Sequence, residues 1–285
     1  MKSLKTHKIF TVWLVAFFVL STAAEEVDRS FQEQSMLGVL FVQTSPEFAA
    51  NNIQTYKIAT SKIDIALKDK SWTAALEQGT NFSDKPPAII VDVDETVLDN
   101  SAHQARAILG GFSYPNGWLE WGNEASAPAV AGVKDFLNYA DSKGVTIFYV
   151  TNRVSELRKS TIENIIKLGL PFDESANPLM MKGENGWGSE KTSRRTLIAE
   201  EYRIILMAGD QITDFISLEE SSVSMDARLQ LSSKYEEMWG EKWFMITNPM
   251  YGKWEGAIYN NIFPSTKERE KLRLKALNPN NTHEK

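Results

Sequence analysis

The sequence predicts an α/β fold built on a parallel sheet, and three observations predict it. Short apolar runs rich in β-branched residues recur at 88–91, 145–150, 204–208 and 243–247. None alternates polar with apolar residues, so each reads as a strand covered on both faces, the habit of parallel sheets. Between them lie stretches with apolar residues at helical spacing, and strands alternating with helices imply right-handed crossovers into one parallel sheet. Finally, three of the runs end in polar triplets: Asp92-Val93-Asp94, Thr151-Asn152-Arg153 and Gly209-Asp210-Gln211. In a parallel sheet those carboxyl ends share one edge, where open α/β sheets bind their ligands.

The chain starts with a leader. Lys2, Lys5 and Lys8 flank or precede apolar residues 9–20, followed by Ser21-Thr22-Ala23-Ala24 and then Glu25-Glu26. A basic start, a short apolar stretch and small residues describe a signal peptide over residues 1–24. The apolar stretch is shorter than the ~20 residues that span a bilayer. After cleavage no stable membrane anchor is expected, and the expected location is periplasmic or secreted. The chain has no cysteine, which excludes disulfides and a lipid-bearing cysteine. Cleavage removes three lysines and no acid, so the formal net charge moves from −6 to −9. That charge argues against binding nucleic-acid polymers, so any phosphate must meet a local positive patch. The 285 residues, 42% hydrophobic and 24% charged, suffice for one globular core and a small accessory layer.

Residues 25–85 read as an N-terminal helical segment. Ser45-Pro46-Glu47 offers an N-cap, a proline at the first helical position and an acid in the first turn. Phe48, Ala49, Ile53, Tyr56, Ala59, Ile63 and Leu67 follow at helical spacing, and a shorter helix at about 31–42 comes before them. These helices are expected to pack rather than to carry chemistry. Residues 81–87 link them to a core expected over 86–262.

After the strand at 88–91, a short helix at 102–109 is broken by Gly110-Gly111. Phe112, Tyr114, Trp118 and Trp121 then gather around turn residues, so residues from about 100 to 129 form a helical insert. An amphipathic helix from Ala129 ends at Gly144, and the strand at 145–150 stops at Thr151. The next helix, with Leu157, Ile162, Ile165 and Leu168, closes at Gly169 and Pro171. A short strand at 179–181, a helix at about 190–202 and the strands at 204–208 and 243–247 complete the core. Residues 263–285 read as a basic helix and a polar tail.

Two carboxylates beside a hydrophobic strand are costly unless a cation or a proton joins them. Asp92 and Asp94 therefore suggest a Mg²⁺-assisted phosphoryl-transfer site with Asp92 as nucleophile. A calcium loop competes for the Asp-x-Asp pattern, but Val97 stands where its glycine belongs and its final glutamate is missing. Lys191, Arg194 and Arg195 stand near a helix start, where cations oppose the macrodipole by roughly 0.3–1 kcal/mol each. A bound anion reverses that penalty for whichever side chain faces it. Arg194 and Arg195 are expected to be solvated surface residues.

Asp92-Val-Asp-Glu-Thr-Val-Leu-Asp-Asn100 and Ile205-Leu-Met-Ala-Gly-Asp-Gln-Ile-Thr-Asp-Phe215 resemble the two signatures of bacterial class C (DDDD) acid phosphatases, in subfamily IIIB of the haloacid dehalogenase superfamily. Thr151-Asn-Arg153 resembles the superfamily's second motif and Lys191 its third, over about 170 residues. Similarity reaches outward to Gln43-Thr-Ser-Pro-Glu-Phe48, Trp118-Leu-Glu-Trp121 and Asn248-Pro-Met-Tyr-Gly-Lys-Trp-Glu255. The resemblance implies a Rossmann-like haloacid dehalogenase core with a smaller helical domain.

It also implies roles. Asp92 attacks phosphorus and forms an aspartyl-phosphate. Asp94 protonates the leaving oxygen and then deprotonates water. One Mg²⁺ is held by the Asp92 carboxylate, the Asp94 carbonyl and Asp210, with Asp214 supporting it directly or through water. Thr151, the Asn152 amide and Lys191 hold the phosphoryl oxygens. Trp118 and Tyr251 match positions that sandwich the leaving group of nucleoside monophosphates, whereas Trp121 and Trp254 are expected in the core. The partner expected is a small phosphomonoester, and the family implies a homodimer. A phosphotransferase on the same site and a noncatalytic binding or storage protein are the alternatives. The sequence departs from the family at His103, where a tyrosine is usual, and at Gln211, where asparagine is common. His103 is expected to be a cap or surface residue.

Overall fold

The computed structural model describes residues 28–279. The leader expected at 1–24 and the end of the tail lie outside the described residues. Ser45 caps the long helix as its chemistry requires: its Oγ accepts from the Phe48 N–H at 3.0 Å, a contact that contributes about 1 kcal/mol. A short helix α1 (Met36–Thr44) therefore turns into α2 (Pro46–Lys68). No described helix is long and apolar enough to cross a membrane.

Five parallel strands form the sheet: β1 (Pro87–Val91), β2 (Thr146–Val154), β3 (Leu179–Lys182), β4 (Arg203–Gly209) and β5 (Trp243–Met245). Their spatial order is β3-β2-β1-β4-β5. The chain moves outward from β1 through β3, then returns to the other side of β1. The order reverses between β1 and β4, and that is where a parallel sheet opens a crevice.

The unbroken apolar runs are explained by two covered faces. Ile89, Val91, Ile147 and Tyr149 face one cluster, with Tyr56 of α2 and Phe136 of α5 (Val133–Ser142). Ala88, Ile90, Phe148 and Val150 face the other, with Ile198, Phe215 and Trp243. A third cluster joins Val39, Val42 and Phe48 to Ile108 and Met250, with Tyr251 packed against it. At Gly38 a Cβ would lie 2.7 Å from the Pro249 carbonyl oxygen, so glycine lets α1 approach that backbone. The N-terminal helices thus buttress the segment that carries Tyr251.

Between β1 and β2 lie α3 (Ser101–Gly110), α4 (Trp118–Glu124) and α5. The aromatic cluster is itself helical, as α4, and the helix expected from Ala129 starts only at Val133. Residues 128–130 are held elsewhere: the Asp99 N–H donates to Pro128 O at 2.9 Å and the Val130 N–H to Val97 O at 3.0 Å. They clamp the loop that follows β1. β2 also runs further than expected, through Thr151-Asn152-Arg153, because β3 pairs alongside it at Thr151 and Val154 with a register shift between. α6 (Arg158–Lys167) and α7 (Thr192–Glu201) follow β2 and β3.

Two helices that the apolar pattern did not signal, α8 (Leu218–Ser221) and α9 (Met225–Lys234), join β4 to β5. After β5 come α10 (Lys253–Ile258) and α11 (Thr266–Ala276). Trp254 is 44% exposed and not in the core. α10 is short and buries only Gly256 and Ala257, which turns Trp254 outward.

Candidate active site

The crevice between β1 and β4 collects the acids. Asp92 follows β1, and Asp210 and Asp214 follow β4. One oxygen from each lies within 4.8 Å of the other two. Lys191, at the start of α7, sits among them: its Nζ donates to Asp92 Oδ1 at 2.5 Å and to Asp214 Oδ1 at 2.6 Å. The resemblance placed this lysine on phosphate; here it bridges two carboxylates.

Gln211 holds two of the three acids. The Gln211 N–H donates to Asp214 Oδ2 at 2.9 Å, and the Gln211 and Asn248 amides each donate to Asp210 Oδ2 at 2.8 Å. The Gln211 Oε1 accepts from the Lys253 N–H at 2.8 Å, tying the acids to the loop after β5. Gly209 is required by crowding: a Cβ there would lie 2.5 Å from the Asp214 Cβ. Gly209→Ala is expected to push Asp214 out of the triad and weaken divalent-cation affinity by about 10–100-fold. Titrating activity with the cation checks this.

Burial and like charge set the electrostatics of the triad. Burial pushes the Asp92 carboxyl up from its ordinary value; Lys191 opposes the rise, and Asp214 and Asp94 add to it. Burial also raises Asp210 well above its ordinary value, with the charges of Asp92 and Asp214 adding to it. Burial alone disfavours the Lys191 ammonium, yet Asp214 and Asp92 outweigh it and hold its pKa above that of a free lysine. One ammonium against three crowded carboxylates leaves a deficit of positive charge. An all-oxygen donor set with that deficit fits a hard divalent cation.

Asp94 stands apart from this triad. Its Oδ1 accepts from Arg153 Nε at 2.8 Å and from Asn100 Nδ2 at 2.9 Å, and its Oδ2 lies 3.4 Å from Thr151 Oγ1. Arg153 is buried, and its other nitrogens donate to Asn100 Oδ1 at 3.0 Å and Thr161 Oγ1 at 3.2 Å. Trp121 Nε1 donates to Asn100 Oδ1 at 2.8 Å, which gives this tryptophan the core position expected of it. Two donors thus hold Oδ1, while Oδ2 meets the longer contact from the Thr151 hydroxyl.

The phosphate-binding candidates are fixed from below. Arg194 Nη1 donates to Thr151 O at 2.6 Å and its Nη2 to Asn152 Oδ1 at 2.8 Å, while Asn152 Nδ2 donates to Ser189 O at 3.1 Å. Arg195 donates to Asp214 O at 3.1 Å and to Glu77 Oε1 at 2.6 Å. Both arginines are fully buried, not solvated as expected. They meet backbone carbonyls and side-chain acceptors from other elements, and helical position alone carries no sign of those partners.

Trp118 and Tyr251 reach the same edge. Trp118 is 8% exposed, beneath the Arg153 guanidinium at 5.5 Å, with His103 edge-on at 5.1 Å. His103 is 1% exposed, neither a cap nor a surface residue. Its ring fills the space between Phe112 and Trp118, and burial lowers its pKa. The Tyr251 hydroxyl donates to Glu95 Oε1 at 2.7 Å. Sequence reasoning assigned no role to Glu95, Asn100, Arg153, Arg194, Arg195 or Asn248. Glu95, Asn100, Arg153 and Asn248 stand within the family-like stretches, and polar residues just past a buried strand are the signal.

Burial pushes Glu95 up to about 8, against hydrogen bonds from Asn100 and Tyr251. A carboxyl raised in the folded state keeps a proton that the unfolded chain releases. Its contribution is fully present below 4.5 and lost as pH rises through about 8. Asp92 and Asp210 act in the same direction. The metal-free protein is therefore expected to lose thermal stability across that window. A saturating divalent cation should remove the part due to the triad, as melting curves with chelator and with cation will report.

A five-stranded parallel α/β sheet with an acid triad and a lysine at its reversal point defines a haloacid dehalogenase-like phosphatase. A family profile described as "HAD superfamily, subfamily IIIB (Acid phosphatase)" matches residues 22–254, and the chain belongs to that family. It is similar to the class C acid phosphatase of Bacillus anthracis, at 36% identity and a TM-score of 0.75, over 87% of this chain and 98% of that one. The tungstate-bound form of the Bacillus anthracis enzyme matches at 35% identity and a TM-score of 0.76, over 88% and 98%. Acid phosphatase 1 of Solanum lycopersicum is 24% identical over 219 residues, 73% of this chain and 76% of its own. The protein is an acid phosphatase, a phosphomonoester hydrolase.

Proposed function

We propose that this acid phosphatase is exported and hydrolyses small phosphomonoesters, nucleoside monophosphates among them, through an aspartyl-phosphate on Asp92. The observation that carries the reading is the division of labour between two aspartates one residue apart. Asp92 lies with Lys191 in the acid triad, while Asp94 is held in a separate polar network. The Bacillus anthracis relative binds tungstate, an oxyanion shaped like phosphate, which supports a phosphoryl-binding role for this chain.

Asp92, Asp210 and Asp214 would hold a Mg²⁺ ion, with the Asp94 carbonyl as a further ligand. When bound, the ion neutralises the carboxylates and the phosphoryl charge. The Asp92 carboxylate attacks phosphorus in line, forming an acyl phosphate. Lys191 exchanges part of its contact with Asp92 for a phosphoryl oxygen, beside the Thr151 hydroxyl and the Asn152 N–H. Asp94 Oδ2 gives its proton to the leaving oxygen. It then takes a proton from the water that cleaves the acyl phosphate, so the acid is restored. Trp118 and the Tyr251 ring line the side where the leaving group sits.

Rapid quenching with ³²P-labelled ester tests the pathway. The expected result is hydroxylamine-sensitive label on the peptide containing Asp92; turnover without label there would refute it. A panel of nucleotides, sugar phosphates and phosphoamino acids ranks the substrates. The leader-like residues 1–24 support export, which cell fractionation of the full chain tests, and light scattering tests the homodimer.

A further inference from the structure

Glu95 is the residue in this site with the least obvious reason to be there. It occupies left-handed backbone, at φ 64°, a conformation that costs any residue with a Cβ. It is 4% exposed, yet it is an acid, and burying a carboxylate demands partners. The turn that imposes this geometry is closed by the Glu95 N–H donating to Leu98 O at 2.8 Å. Its side chain reaches in two directions. Oε1 accepts from the Tyr251 hydroxyl at 2.7 Å, and Oε2 accepts from the Asn100 N–H at 3.0 Å. The Asn100 amide in turn donates to Asp94 Oδ1 at 2.9 Å. These contacts form one unbroken path from the wall of the leaving-group pocket to the acid/base carboxylate. It joins the loop after β1 to the loop after β5, two segments with no neighbouring strands between them except β4.

We propose that Glu95 is a positioning residue for proton donation: it locks Tyr251 to Asn100, and through Asn100 fixes the direction in which Asp94 Oδ2 faces the leaving oxygen. A strained, buried acid then has a purpose, because it sets the distance between the group that seats the leaving group and the group that protonates it. Proton donation is sensitive to that distance, whereas attack by Asp92 on phosphorus is governed by the separate triad. The proposal rests on Asp94 being the general acid.

The test is the dependence of kcat/KM on the leaving group, in three esters that each carry one aromatic ring: p-nitrophenyl, phenyl and benzyl phosphate. kcat/KM stops at the first irreversible step, so breakdown of the acyl phosphate, common to all three, does not enter. p-Nitrophenolate leaves without a proton, while the benzyl alkoxide needs one. Glu95→Gly deletes the carboxylate with a residue that suits left-handed backbone. It is expected to lose about tenfold more on benzyl than on p-nitrophenyl phosphate, a share of the 10²–10⁴-fold a placed general acid supplies. Tyr251→Phe, which removes only the hydroxyl, should tilt the series the same way, and it decides alone if Glu95→Gly does not fold. A merely structural role predicts equal losses on all three esters in both variants, and that result overturns the proposal. Asp94→Asn is measured alongside. If it steepens the series while the other two do not, the acid assignment stands and the role of Glu95 falls; if Asp94→Asn is itself flat, the acid assignment fails and takes the role of Glu95 with it.

Discussion

Asp92→Asn is expected to abolish turnover while leaving phosphate esters able to bind. An amide cannot form the acyl phosphate, so the loss in kcat should reach on the order of 10⁴-fold or more, the scale seen when a nucleophile is removed from a cooperating site. The geometry adds a second expectation of opposite sign. Asp92 is buried against Asp210 and Asp214, and burial with like charge raises its pKa. Replacing it by a neutral isostere relieves that repulsion, so metal-free Asp92→Asn should melt higher than the metal-free parent at neutral pH. Activity lost with stability gained is the mark of a site held in an unfavourable state for function. Residual turnover within tenfold of the parent would remove Asp92 as nucleophile. A drop in melting temperature with no turnover would point to a structural role.

Lys191→Met carries the next largest effect. Its ammonium bridges Asp92 Oδ1 and Asp214 Oδ1, all three groups being buried. Removing one member of a buried ion pair leaves an uncompensated charge and costs about 3–5 kcal/mol. Without a divalent cation the variant should be strongly destabilised, and more so as pH rises and the carboxyls ionise. With saturating cation much of the stability should return, since the cation supplies the missing charge. Activity should not return, because the phosphoryl oxygens still lack the lysine. Denaturant melts with and without cation, set beside kcat, separate the two roles. Recovery of activity with stability would leave Lys191 as a counter-charge only.

These two variants expose what a linear sequence can and cannot carry. The strands were legible because two-sided burial writes itself as an unbroken apolar run, as at Ile89, Ile90 and Val91. Ser45 announced α2 because a cap is local chemistry. Asp92, Asp94 and Asp210 drew notice because a polar residue just past a buried strand has few structural excuses, and Lys191, well past β3, drew notice through the family resemblance. α8 and α9 were not, since they bury little and leave no periodic stripe: of α9 only Leu231 is buried.

The arginines mark the boundary most sharply. On sequence, Arg194 and Arg195 are cations near a helix start and belong in water. In the structure they are fully buried, because Thr151 and Asn152 of β2, Asp214 and Glu77 come from three other segments to meet them. His103 and Trp254 changed places for a similar reason. A ring's burial depends on what packs over it, here Phe112 and Trp118 over His103 and nothing comparable over Trp254.

The sequence by itself determined the parallel α/β class, the strand ends that bear acids and the family signatures that match them. Periodicity, capping and motif spacing are all properties of neighbours along the chain. Only the tertiary structure decided that Lys191 stands between Asp92 and Asp214, that Arg153 and Asn100 take one oxygen of Asp94, and that Glu95 reaches Tyr251. Apart from the Asn100–Asp94 hydrogen bond within the loop after β1, those contacts join segments far apart in sequence. Their distances follow from strand order and register, which no local pattern encodes.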